Sequence, residues 1–173
     1  MKRKTDIHPI DVKSDEGFYS VRQRLWTTLR EGKATECPCC ERYAKITPTH
    51  LHFTMVKQLL KMKWRGMQGQ RFVRSRELAD ATVGTNGCMT TTKHWGFVLN
   101  GEDTTELSGT KGAASLWTIS QKGLDFIAGK IAVPKFCLLY DDKVYGWSDE
   151  LVFVTQLRNF NPEDMREEIA VNG

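Results

Sequence analysis

The sequence predicts an α+β fold with one main core and two smaller flanking segments. Apolar residues recur at three- and four-residue steps in several stretches, which is the spacing of amphipathic helices. Short runs rich in β-branched and aromatic residues lie between these stretches and are typical of strands. The chain has 173 residues, of which 40% are hydrophobic and 27% charged. A chain of this length can form one good hydrophobic core, but it is short for two full-sized domains.

The first segment, residues 1–46, is predicted to hold a polar leader, one helix and a cysteine turn. The helix spans Asp15–Arg30, because apolar residues form a single stripe along it. Gly32 is expected to end it. The stripe consists of Phe18, Val21, Leu25 and Leu29.

The second segment, residues 47–130, contains the main core. Its first helix is predicted to open at Thr47-Pro48, a capping hydroxyl followed by proline at the first helical position. The next helix is short, from Arg76 to about Thr82, and a glycine turn follows it. A third helix is predicted from Thr85 to His94. The buried stripe of the first helix consists of Leu51, Met55, Leu59 and Met62.

Two strands and a helix complete the second segment. The strands are predicted at residues 97–99 and 116–119, with a polar loop between them, and Ser120 is expected to cap the helix. Three helices followed by two paired strands are the order of a winged helix-turn-helix, in which the strands and their loop form the wing.

The third segment, residues 131–173, is predicted to add strands and an acidic helix. The strands fall at 132–140 and 151–154. Asn161-Pro162 is a strong helix start, since it offers a cap and then proline at the first position.

Several short motifs resemble those of known proteins. The run from Leu116 to Gly123 is similar to the strand, Ser, x, Lys-Gly, helix ending of many bacterial winged-helix regulators. More broadly, about residues 24–155 resemble a group of small, mostly uncharacterised phage and prophage proteins. The resemblance implies a phage origin and a place in the host cytoplasm. The other motifs that carry it are Cys37 to Cys40, the Leu51/Met55/Leu59 pattern, Lys93 to Val98 and Ala128 to Lys135.

Charge is distributed unevenly along the chain. Residues 1–74 carry 16 Lys and Arg against 7 Asp and Glu, whereas residues 75–173 carry 9 against 14. We call residues 57–76 the basic segment, because no acid interrupts its cations. Such a stretch favours binding to a polyanion such as nucleic acid. The alternative is a solvated helix face that docks on the acidic half of the chain.

The candidate nucleic-acid-binding residues form two groups. Phosphate contacts are expected from the basic segment, and groove contacts from the helix at Thr85–His94. That helix lacks an arginine for guanine, and the loop at residues 101–115 carries three acids against one base. The full set is Lys57, Lys61, Lys63, Arg65, Arg71, Arg74, Arg76, Thr90, Thr91 and Lys93.

The five cysteines favour a metal site over a disulfide framework, because their number is odd and no export signal precedes them. Cys37 and Cys40 have the C-x-x-C spacing that lets two thiolates of one turn bind a structural Zn²⁺. The alternatives are a turn without a ligand and a redox site. Candidates to complete a zinc site are His50, His52, Cys88, Cys137 or a second copy of the chain in a homodimer.

Several functional classes lack a sequence signature. No apolar run approaches the roughly 20 residues of a membrane helix, and no secretory signal is evident, so we expect a cytoplasmic protein without a membrane partner. The phosphate-binding, dinucleotide-binding, zinc-protease and serine-hydrolase motifs are also missing, which argues against an enzyme.

Two functions therefore remain from the sequence. The first is a phage-type winged-helix protein that binds nucleic acid through its basic face, as a regulator or DNA-maintenance accessory. The second is a protein-interaction module that binds and inhibits or redirects a host factor, such as a DNA-processing enzyme. A shared fold cannot decide between them.

Overall fold

The computed structural model describes residues 9–10, 17–78 and 87–160. Helices and strands both occur there, and the predicted α+β class is confirmed. The predicted glycine turn after the short helix and the acidic helix after Asn161-Pro162 lie outside the described residues. None of the described helices is long and apolar enough to cross a membrane.

The helices match the predicted apolar stripes, with changed ends. In α1, Val21, Leu25 and Leu29 are buried as predicted, whereas Phe18 is exposed. The described helices are α1 (Phe18–Arg30), α2 (Phe53–Met67), α3 (Ser75–Leu78), α4 (Gly87–His94) and α5 (Gln121–Ile127).

The strands are short and form small sheets. Their order is β1-β2, β10-β7, β3-β8-β9 and β4-β6-β5. The strands are β1 (Thr35–Glu36), β2 (Tyr43–Ala44), β3 (Thr47–His50), β4 (Val73–Arg74), β5 (Val98–Asn100), β6 (Leu116–Ile119), β7 (Val133–Pro134), β8 (Phe136–Tyr140), β9 (Lys143–Trp147) and β10 (Leu151–Val152).

The chain forms two compact units. Unit 1 comprises residues 1–49 and 137–147, and unit 2 comprises residues 50–136 and 148–173. This division separates the strand pair at 137–147 from the rest of the predicted third segment. The reason is packing, because Leu138 and Tyr140 lie against the core of unit 1.

Unit 1 is built on the buried face of α1. Leu25 and Leu29 pack against Ala44 and Ile46, from the segment around β2. On the same helix the Trp26 ring stacks on Tyr145 at a centroid distance of 5.0 Å. The hairpin of β1 and β2 carries the cysteine turn.

Unit 2 has the larger core, in which α2, α4 and α5 surround the β4-β6-β5 sheet. Both strand pairs of this sheet are antiparallel. The Phe97 and Phe126 rings stack at 4.7 Å in the core. Trp95 is also buried, and its indole Nε1–H donates a hydrogen bond to the Pro134 carbonyl oxygen at 2.8 Å.

The motif from Ser120 to Gly123 has a packing explanation. The Ser120 hydroxyl accepts a hydrogen bond from the Gly123 N–H and thereby caps α5. The same hydroxyl donates a hydrogen bond to the carbonyl oxygen of Gly96, which connects the start of α5 to the residues just before β5. Gly123 has no side chain where α5 passes close to the Phe97 carbonyl. The motif therefore fixes how α5 meets β5.

Two predictions about secondary structure were wrong. Thr47-Pro48 does not open α2, because residues 47–50 are drawn into the sheet with β8 and the helix starts at Phe53 after an extended His52. The predicted strand at 132–140 is divided into β7 and β8, which belong to different sheets, and residues 143–147, where no strand was predicted, form β9. Both errors concern pairings with residues that are distant or across a tight turn.

Candidate nucleic-acid interface and cysteine turn

Helix α4 presents a polar outer face. Met89 and Thr92 are buried, whereas Thr90 and Lys93 are exposed and Thr91 is half-buried. The predicted groove residues Thr90 and Lys93 therefore lie together, one helical turn apart. This face carries only hydroxyls and one cation among its described residues.

An acid from the β5–β6 loop (residues 101–115) lies against this face. The Lys93 ammonium is 2.7 Å from the Asp103 carboxylate. The hydrogen bond from Lys93 lowers the pKa of Asp103, and desolvation opposes this shift. The loop therefore lies next to α4, and its charge opposes that of Lys93.

A second ion pair ties the same loop to the basic segment. The Arg71 guanidinium donates to the Glu106 carboxylate, and both side chains are exposed. Exposed ion pairs contribute little to stability because water and salt screen them. Their importance here is electrostatic, because the two pairs neutralise Arg71, a predicted phosphate contact, and Lys93, a predicted groove contact.

Three other cations of the basic segment contact groups within unit 2. Arg65 donates to the Gln70 side-chain oxygen at 2.9 Å and to the Glu77 carbonyl at 3.2 Å. The Lys61 ammonium lies 3.5 Å from the Leu78 carbonyl oxygen. Lys57 lies over the Phe53 ring at 5.6 Å. These three side chains are engaged within unit 2.

The remaining cations are Lys63, Arg74 and Arg76, and all three are exposed. Within the described part of the chain, none of them forms an ion pair with a carboxylate. Arg74 ends β4, where Val73 is buried and Arg74 faces outward, and Arg76 follows in α3. The predicted set of cations thus separates into engaged side chains and a smaller group able to meet phosphate.

The cysteine turn in unit 1 brings thiols together. The Cys37 N–H donates to the Arg42 carbonyl at 2.8 Å, which closes the hairpin around the turn. The pKa of the Cys37 thiol is lowered, chiefly because its sulfur accepts a hydrogen bond from the Cys39 N–H.

The proposed additional zinc ligands do not join this turn within the described residues. No group of three or more His, Cys, Asp or Glu side chains suited to a metal is found there. His50 and His52 are exposed in unit 2, and Cys137 is a buried free thiol whose pKa is raised by burial. The Cys88 side chain lies outside the described residues.

The titration of Asp103 provides a test of the contact between α4 and the loop. Because Lys93 lowers its pKa, the Asp103 carboxylate stays ionised further into the acid range than an aspartate without a neighbouring cation. The stabilising effect of the ionised Asp103 carboxylate is present above about pH 4 and is lost as the pH falls through its lowered pKa. Carbon-detected NMR should follow this midpoint. The Lys93→Met variant should raise it, and an unchanged midpoint would contradict the contact.

The pairing of Asp103 and Glu106 with cations was not evident from the sequence. The acids of the loop were evident, but their partners lie in α4 and before β4.

Comparisons of the chain with known protein families, curated proteins and solved structures gave no match.

Proposed function

We propose that this chain is a phage-type nucleic-acid-binding protein with a winged helix-turn-helix core, acting in the host cytoplasm as a binding protein and not as an enzyme. The element order α2, β4, α3, α4, β5, β6 supports the proposal. So does the antiparallel sheet order β4-β6-β5, in which the strand after the loop pairs with both others. In this interpretation α4 contacts the groove and residues 101–115 form the wing.

The observation that carries the proposal is the contact between α4 and the loop. A winged helix acts through a recognition helix with a wing beside it, and the Lys93–Asp103 ion pair joins those two elements. The outward residues Thr90 and Lys93 can hydrogen-bond to base edges or phosphates.

Phosphate binding is assigned to the cations without a carboxylate partner among the described residues. Arg74 and Arg76 lie at the β4–α3 junction, and Lys63 is exposed on α2. Arginine and lysine at such positions fix the position of a protein on the backbone but carry no sequence information. With no arginine in α4, we expect low sequence specificity.

A second candidate function is a protein-interaction module directed at a host factor. The observation that favours it is the acidic loop, which pairs with Lys93 and Arg71 and keeps Glu102 exposed. Such a wing would repel a phosphate backbone and suit a partner with a basic surface. Recovery of one host protein after nuclease treatment, without affinity for nucleic acid, would favour this function over the first.

The first function is tested by removing two cations that have no carboxylate partner among the described residues. The Arg74→Ala/Arg76→Ala double variant should bind duplex DNA about tenfold more weakly at low salt. Each phosphate contact that is lost reduces the number of counterions released on binding, and that release favours the complex. Fluorescence anisotropy on duplex and single-stranded DNA measures this. The matched control is Lys33→Ala/Lys143→Ala, which also removes two positive charges, from exposed lysines of unit 1.

The control should keep the affinity of the wild type. Equal binding by the wild type and the double variant would remove Arg74 and Arg76 from the interface. A wild type that binds neither duplex nor single-stranded DNA at low salt would overturn the function itself.

A further inference from the structure

The cysteine turn has the backbone geometry of a metal-binding knuckle. The Cys37 carbonyl oxygen accepts hydrogen bonds from the Cys40 N–H at 3.3 Å and the Glu41 N–H at 2.7 Å. Glu41 has a φ of 57°, in the left-handed region that closes such a turn. Cys37 and Cys40 therefore lie at the two ends of one closed backbone turn, the spacing from which two thiolates can bind one metal ion.

Two thiolates in one turn are half of a tetrahedral site. Structural Zn²⁺ is bound by four ligands, and thiolate sulfur is among those it prefers. The described residues supply no third or fourth ligand beside this turn. The turn itself is accessible, since Cys39 and Cys40 are exposed and Cys37 is half-buried.

Two exposed aromatic side chains lie beside the cysteine turn. Phe18, with 68% of its surface exposed, lines the same groove as Cys37, Pro38 and Cys39. Tyr43, 51% exposed, lies opposite Glu36 in the hairpin that carries the turn. Exposed aromatic side chains clustered around a functional group are typical of an interaction surface.

We propose that two copies of this chain meet at the cysteine turn and share one Zn²⁺ there, bound by Cys37 and Cys40 of each copy. A two-fold contact brings the same residues from both sides, so two half-sites make one complete four-thiolate site. The exposed aromatic side chains beside the turn would be covered in the same contact. This dimer site does not depend on the proposed binding to nucleic acid.

The full chain, purified under reducing conditions, tests the proposal by metal content and mass in solution. We expect one Zn²⁺ per two chains and a dimer that a chelator converts to monomers. Cys37→Ser and Cys40→Ser should each lose the metal and the dimer. Cys39→Ser is the matched control from the same turn and should keep both.

A second measurement guards against variants that simply fail to fold. Co²⁺ added to the metal-free wild-type chain should saturate at one ion per two chains, with the absorption of a tetrahedral thiolate complex. A monomer that holds one ion per chain would overturn the shared site. So would a dimer that persists without metal, a reduced protein that binds neither ion, or metal that Cys39→Ser loses as completely as Cys40→Ser.

Discussion

Replacing Gly123 with alanine should destabilise unit 2 by about 2 kcal/mol. A Cβ at this position would lie 2.4 Å from the Phe97 carbonyl oxygen and 3.0 Å from the Ile119 Cγ1. The oxygen belongs to the backbone and cannot rotate away, so overpacking costs up to about 3 kcal/mol. Alanine in a helix recovers about 1 kcal/mol relative to glycine, which leaves a net loss.

Urea unfolding of the two proteins measures this difference. The control is Gly66→Ala in α2, where an added Cβ meets no atom within 4 Å. The control should lose no stability and gain up to about 1 kcal/mol. If Gly123→Ala unfolds at the same urea concentration as the wild type, then α5 does not approach Phe97 as closely as described.

Removing the two paired acids of the loop should strengthen binding to duplex DNA by about tenfold. The variant is Asp103→Asn/Glu106→Gln. It frees Lys93 and Arg71 from their ion pairs, so both cations become available to phosphates. The pairs are exposed, and their loss should change stability little.

The control for this variant must match its change in net charge. Glu31→Gln/Glu150→Gln removes two acids from the exposed pairs with Lys33 and Lys135, which are not predicted to contact DNA. Anisotropy titrations at one salt concentration should give a gain for the loop variant that clearly exceeds that of the control. Equal gains would assign the effect to net charge alone, and a weaker loop variant would contradict the interface.

The local elements of this fold and the pairing of β5 with β6 were predictable, but several other strand pairings were not. The stripe of Val21, Leu25 and Leu29 and the Ser120 cap depend on neighbours within a few residues, and both were identified. In contrast, β3 depends on β8, which lies far along the chain. Local signals at Thr47-Pro48 favoured a helix, and a distant strand outweighed them.

The candidate site was predictable to the same extent. The cations of the candidate interface could all be identified from the sequence, because charge is a property of the single residue. Whether a cation is available depends on its partner. Arg71 pairs with Glu106, 35 positions away, and Arg65 lies beside Glu77 of α3. The cysteine turn was recognisable from its spacing, since its contacts are local.

The salt dependence of wild-type binding to duplex DNA tests the account most directly. With Lys63, Arg74, Arg76 and the α4 face as contacts, about three to four phosphates are neutralised. Log K should then fall linearly with log salt at a slope of about −3. A slope near zero, or no binding at the lowest salt, would contradict the claim that this chain binds a polyanion.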